Sequence, residues 1–306
     1  MTTTPTGSSA VVLDDLGSSD PDAPGGETAG SQRRKQRTPI GWYLASGWLL
    51  AVFLGAILAP LIPGLPDPDL PDYGAAFSGI TPSHWLGADN LGRDLLSRSI
   101  YGARVSLFIG ICAVGLGALV GGILGMLAGY FGGKVDRFFS LITDIVLAFP
   151  GLVLLIAIVA ILGASLTNLT IGLAILSVPT FIRLSRATTL LVSKREFVQA
   201  ARAYGSKPFR IIAREITPNV VLPVAAYAFI LIGIFIVVEG GLSFLGLGVP
   251  PPTPSWGGMI AYGRPYLTDY PHVSLFPSAF MFLTVLSINY IGERIRKQFE
   301  VKESNL

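Results

Sequence analysis

EFVQAARAYGSKPFRIIAREITPN, residues 196–219, places six charged side chains between two of the most apolar stretches of the chain. Its spacing reads as a bent pair of short helices. Ser193-Lys-Arg-Glu196 has the form of a capping box, with Ser193 as N-cap and Glu196 reaching back to the free amide. Val192 and Phe197 stand where a hydrophobic staple would close. Phe197, Ala200, Ala201 and Tyr204 recur at i, i+3, i+4 and i+7, which puts them on one helical face. Gly205 suits the left-handed residue that ends a helix. Ser206 then starts another, with Pro208 in the first turn, where its missing amide hydrogen costs nothing. Phe209, Ile212, Ala213 and Ile216 repeat the spacing, and Pro218 opens the next apolar run. Two amphipathic helices joined by a glycine elbow are expected.

The chain around this elbow is that of a polytopic membrane protein. Only 13% of its 306 residues are charged and 51% are hydrophobic, with mean hydropathy +0.61, against about 25% charged in soluble domains. Windows nearly free of charge, set against the roughly 20 residues that cross about 30 Å of hydrocarbon, fall at residues 41–62, 105–130, 139–162, 168–183, 219–245 and 273–292. An all-α fold with six transmembrane helices is therefore expected. Its parts are a disordered tail over 1–38, a first helix and extracytoplasmic segment over 39–103, a five-helix core over 104–293 that contains the elbow at 193–218, and a tail from 294 to 306. Pro150 is expected to kink the third helix.

Lys and Arg set the direction, because basic flanks resist translocation. With the N-terminus inside, eighteen of the 22 Lys and Arg fall on cytoplasmic segments, and only Arg93, Arg98, Arg104 and Arg264 fall outside. Both termini and the elbow are thus expected in the cytoplasm. An elbow of this kind either plugs into a partner's groove or lies on the membrane surface, and its amphipathic pattern suits both. Ala200 and Ala201 leave the backbone accessible, while Arg202, Lys207 and Arg210 surround it with positive charge.

Other residues carry paired readings. Ala113, Gly117, Gly121, Gly125 and Gly129 form a groove for close helix approach, within the chain or between subunits. Glu239 lies towards the outer part of the fifth helix, where an ionisable group either lines a pathway or makes a local hydrogen bond. Asp144, inside the cytoplasmic end of the third, is expected to pair with Arg137 or another interfacial base, the alternative being the pathway. His84, Asp89 and Asp94 are too few and too hard a set for a good metal site, and suit capping and turn duties instead. Trp256, among prolines, suits the outer interface as anchor, lid or docking contact.

Three stretches together resemble a known family. Glu196-x3-Ala200-Ala201-x3-Gly205 followed by Pro218-Asn219 resembles the EAA loop of permeases in bacterial ABC importers. His84-Trp-Leu-Gly-Ala-Asp-Asn-Leu-Gly-Arg-Asp94, with Ser97-Arg98 and Tyr101-Gly-Ala-Arg104, resembles the segment before helix two in dipeptide, oligopeptide and nickel permeases. Leu242-Ser-Phe-Leu-Gly-Leu-Gly248 with Pro251-Pro-Thr-Pro-Ser-Trp-Gly257 resembles their loop between helices five and six. The match spans roughly residues 40–295. It implies a type I importer permease of the C-type in the bacterial cell membrane, paired as a heterodimer with a B-type permease. It further implies two ATPase subunits, or one fused ATPase, carrying ATP and magnesium, and an extracytoplasmic solute-binding protein. Glu196, Ala200, Ala201, Arg202, Tyr204, Gly205, Ser206, Lys207, Pro208, Phe209 and Arg210 would then couple to the ATPases. Asp144 and Glu239 are candidates for the pathway, and Trp256, Asp89, Arg93 and Asp94 for binding-protein docking. Gln199, Glu215 and Thr217 depart from residues frequent in the family.

No cofactor is expected on this chain, nor any catalysis. Gly133-Lys134 lacks the glycine five positions earlier and the following hydroxyl of a phosphate loop, and no His-Glu-x-x-His or Gly-x-Ser-x-Gly occurs. No basic run with interleaved aromatics suggests nucleic acid. An ion-coupled transporter would want more ionisable groups near the membrane centre.

Overall fold

The computed structural model describes residues 40–303, and the expected disordered tail over 1–38 lies outside them. The described residues form helices and turns, with one isolated bridge between Ala88 and Asp94. The helices are α1 (Ile40–Leu58), α2 (Leu95–Phe131), α3 (Gly133–Leu147), α4 (Gly151–Leu162), α5 (Leu166–Val192), α6 (Glu196–Ala203), α7 (Pro208–Ile211), α8 (Thr217–Phe244), α9 (Trp256–Gly263) and α10 (His272–Glu303). Boundaries drawn at 103/104 and 293/294 fall inside α2 and α10.

The axis of the molecule is α2, whose 37 residues extend about 55 Å at 1.5 Å per residue. Its small residues are used inside the chain. A Cβ added at Gly121 would lie 2.5 Å from the Val178 carbonyl oxygen, one at Gly125 2.5 Å from that of Ile182, and one at Gly129 2.8 Å from that of Arg186. The stripe therefore seats α5 almost backbone to backbone, the geometry small residues permit between membrane helices. Of the two readings the sequence left open, the intramolecular one describes this groove. Helix α8 packs nearer the amino end of α2, with Gly110 of α2 against Ile232 and Ile236. Helix α10 closes on α8 through Gly233 beneath Asn289 and Gly292 beneath Phe229. Helix α1 lies at the edge, where Trp48 donates from Nε1 to Thr284 Oγ1 at 3.1 Å and meets Phe280.

Three expectations are corrected. Residues 139–162 are not one kinked helix: α3 and α4 are separate helices that meet at 82° across residues 148–150. Pro150 stands outside both helices, with ψ 119° in the position preceding α4. The fourth span, expected over 168–183, runs from Leu166 to Val192 and contains Pro179; Ser165 caps it by accepting from the Asn168 amide at 3.1 Å. Finally, α7 is no separate helix. A five-residue π turn, Ile212–Ile216, joins it to α8, making one apolar helix over Pro208–Phe244. The widened turn precedes Pro218, whose ring would otherwise press on the Arg214 carbonyl. Among the described residues, five helices are long and apolar enough to cross a membrane, or six if the bent pair counts as one span.

Candidate functional site

At the end of α2 where Phe131 lies, the elbow is fastened by residues the sequence pattern did not single out. Val198 and Ile211 are buried and join Val192, Ile212, Ile216 and Val220 in a cluster against Met126, Leu127 and Tyr130 of α2. Of the two faces read as apolar, that of Phe197, Ala200 and Tyr204 points outward, whereas Ile212 and Ile216 of the second are buried and only Phe209 and Ala213 are exposed. Tyr204 is 90% exposed and Phe209 71%, and Phe197, Ala200, Lys207, Pro208 and Arg210 are exposed with them. Arg202 lays its guanidinium 4.8 Å from the Tyr130 ring centre, and Phe209 meets Phe131 edge to face. Aromatic and basic groups thus stand outward on a rigid base.

The turn between the helices is held by the backbone. Gly205 has φ 74°, a conformation open to glycine and costly to branched residues. Its amide donates to the Arg202 carbonyl at 2.9 Å, and the Ser206 amide to that of Ala201 at 3.1 Å. This pair of bonds is a Schellman closure of α6. The expected capping box does not form. Ser193 ends α5, with its hydroxyl donating to the Leu190 carbonyl, and Arg195 precedes α6 without a side-chain cap. Because α5 runs on to Val192, Glu196 becomes the first residue of α6 rather than its third, and its carboxylate serves the amino end of the helix.

The other end of α2 is the opposite in character. Asp94 accepts from the Ser97 amide at 2.7 Å, capping α2, and pairs with His84 Nδ1 at 3.1 Å. Asp89 accepts from the amides of Leu91 and Arg93 and from the Arg93 guanidinium at 2.7 Å. Arg98 donates to the Pro68 carbonyl at 2.6 Å and to Asp69. Arg104 donates to the carbonyls of Ala56 and Ile57, satisfying the end of α1. Trp256 is fully buried, donating from Nε1 to the Ser99 carbonyl at 2.9 Å. Its ring offers no surface to another protein in this conformation, and Asp89 and Asp94 are buried as well.

Glu239 is also fully buried. It accepts from Ser255 at 2.8 Å, Ser243 at 3.1 Å and Ser106 at 3.5 Å. The Ser106 hydroxyl in turn accepts from the Trp256 amide at 3.2 Å. The carboxylate therefore ties α2, α8 and the start of α9 together, the local duty that was one of its two readings. Ser106 and Ser255 are far from it in sequence, so nothing local pointed to the network.

Asp144 meets Arg183, not Arg137, at 2.7 Å, and both side chains are more than half exposed. Asp136 and Arg186 form a second pair between α3 and α5, in two-point contact. Among the described residues no group of three or more His, Cys, Asp or Glu could hold a metal ion.

Residues 121–303 match the family described as binding-protein-dependent transport system inner membrane component. The chain belongs to that family. It is 42% identical over 231 residues to the glutathione transport system permease protein GsiD of Pectobacterium atrosepticum, covering 76% of this chain and 77% of that one. The protein of the same name from Escherichia coli O6:K15:H31 is 40% identical over 231 residues, 76% of each chain. Among solved structures, two crystal forms of the MetNI methionine ABC transporter in inward-facing conformations share the fold, each with a TM-score of 0.55 and 20% identity. They cover 65% and 66% of this chain and 95% and 97% of theirs. The chain is accordingly an all-α, multi-pass inner-membrane permease subunit of an ABC importer, and ATP hydrolysis with its magnesium resides on partner subunits.

Proposed function

We propose that the chain is the C-type permease of a peptide importer, joined to a B-type permease in a heterodimer and driven by ATPases docked on its elbow. The substrate class rests on the GsiD relatives, whose name gives a peptide, glutathione, as cargo. The bent pair α3–α4 counts as one span, giving six with both termini in the cytoplasm, as the distribution of Lys and Arg favours. Dipeptides, longer peptides and nickel chelates are the cargoes this reading admits, delivered by an extracytoplasmic binding protein.

The observation that carries the docking role is the outward face of the elbow. Tyr204 and Phe209 are exposed beside Lys207 and Arg210, while Val198 and Ile211 anchor the same helices inside. A surface for lipid alone would bury its aromatics in one plane with the basic groups at its rim. Here the backbone around Ala200 and Gly205 is open as well, as a groove-filling helix requires. Helix α7 continues into α8, so displacement of the elbow is passed directly to a membrane-crossing helix. ATP-driven closure of the ATPases would move the two elbows of the heterodimer together and rock the bundle between its two access states.

The test is co-purification and transport. The reading expects a second permease and ATPase subunits to travel with this chain, and peptide uptake in proteoliposomes to require ATP and binding protein. Uptake by this chain alone on an ion gradient would overturn it.

A further inference from the structure

Between α3 and α5 lies a cavity of about 370 Å³ lined by Ser140, Thr143, Asp144, Ile182, Arg183 and Arg186. Its two ion pairs are built differently. Asp136 takes Arg186 through both oxygens, the fork geometry that fixes an arginine. Asp144 takes Arg183 through one nitrogen only, Nη2 to Oδ1 at 2.7 Å, so most of the five guanidinium donors have no partner among the described residues. Thr143 is 1% exposed, lines the same cavity, and its hydroxyl has no hydrogen-bond partner among the described residues. Arg183 lies nine residues before α5 ends at Val192, about 14 Å along the helix. Arg183 and Asp144 are both more than half exposed, and exposed charges beside an apolar bundle face a polar compartment or another protein, not hydrocarbon.

From this geometry we propose that Asp144 and Arg183 form a binding site for the charged termini of a zwitterionic peptide on its way through the permease. The inference rests on the peptide-importer reading and names how this chain handles that cargo. The two ion pairs carry no net charge, so an added anion alone would be unbalanced. A ligand carrying both a carboxylate and an ammonium exchanges with the pair at no net charge: its carboxylate takes the open donors of Arg183, its ammonium takes Asp144. Asp136 and Arg186 keep the two helices together while the exchange occurs.

The site is tested on the assembled permease pair and ATPases in phosphatidylglycerol nanodiscs without binding protein. Alanyl-phenylalanine, its C-terminal amide and its N-acetyl derivative are titrated and followed by saturation-transfer NMR. The free dipeptide is expected to bind roughly tenfold more tightly than the amide, the worth of one charge-assisted contact. Arg183→Gln should lower the free dipeptide to the level of the amide. Asp144→Asn should tighten the N-acetyl derivative, whose carboxylate no longer competes with Asp144, a gain that misfolding cannot produce. Equal binding of acid and amide, a preference that survives Arg183→Gln, or no dipeptide binding would each overturn the site. Loss of dipeptide binding when phosphatidylethanolamine is added would also overturn it, by showing a lipid headgroup as the occupant. Uptake is measured on the same complex with its binding protein and ATP. No uptake of any peptide defeats the importer reading, whereas uptake without an acid preference at the permease defeats only this inference.

Discussion

The two ends of α2 use similar residues for opposite purposes. At the end near Leu95, charges and an indole are folded inward, each meeting a partner of the same chain: Asp94 on the Ser97 amide, Arg98 on Pro68 and Asp69, Trp256 on Ser99. At the end near Phe131, aromatic and basic residues are turned outward from a buried base of Val198, Ile211 and Ile216. The first end is complete in itself. The second leaves aromatic and basic groups exposed, the face we propose as half of an interface. Residue type therefore says little about which end meets a partner; what decides it is whether the chain has already satisfied the group.

That contrast can be broken most severely at the closed end. Trp256→Ala should cost about 3–5 kcal/mol, the usual loss for a buried large aromatic, seen as a large fall in thermal stability of the detergent-solubilised complex. A variant of near-parental stability would mean that Trp256 does not hold this end together. Glu239→Ala should follow, since it leaves the hydroxyls of Ser106, Ser243 and Ser255 without their acceptor; each buried unsatisfied group costs about 1–3 kcal/mol. Glu239→Gln, which still accepts, should recover much of that loss in the same melting experiment. Asp94→Ala removes the cap of α2, worth about 1 kcal/mol, and Asp94→Asn should restore most of it. At the open end the order reverses. Tyr204→Ala should change stability by less than about 0.5 kcal/mol, as exposed substitutions do, and yet weaken ATPase association in pull-down, because exposed aromatics at an interface centre carry much of its energy. Gly205→Val should insert into the membrane and uncouple ATP hydrolysis from uptake, since a branched residue disfavours the φ of 74° found there. Coupling that survives would move the hinge elsewhere.

Much of this arrangement was legible because it is local. Gly205 and Pro208 mark the turn of the elbow, and the four-residue period of small residues in α2 marks where another helix lies close. The departures come from contacts that local pattern does not encode. The window between Arg137 and Arg183 contains no charge but Asp144, and hydropathy alone cannot tell one straight span from two helices meeting at 82°. Ser193 to Glu196 matches a capping box, but α5 extends far enough to claim Ser193 for its own end. On α6 the spacing of Phe197, Ala200, Ala201 and Tyr204 identifies an apolar face without saying what covers it. The chain covers the other face, through Val198. Glu239 was visible as an ionisable group in an apolar helix, whereas its partner Ser106 lies 133 residues away.

The central claim is that the outward face of the elbow is cytoplasmic and covered by the ATPases. Cys112 is the one native cysteine, so Tyr204→Cys in a Cys112→Ser background gives a single reporter for a membrane-impermeant maleimide. The account predicts labelling in inverted vesicles, none in right-side-out vesicles, and protection in inverted vesicles when the ATPase subunits are bound. Labelling from the outside, or labelling in inverted vesicles indifferent to the ATPases, would contradict it.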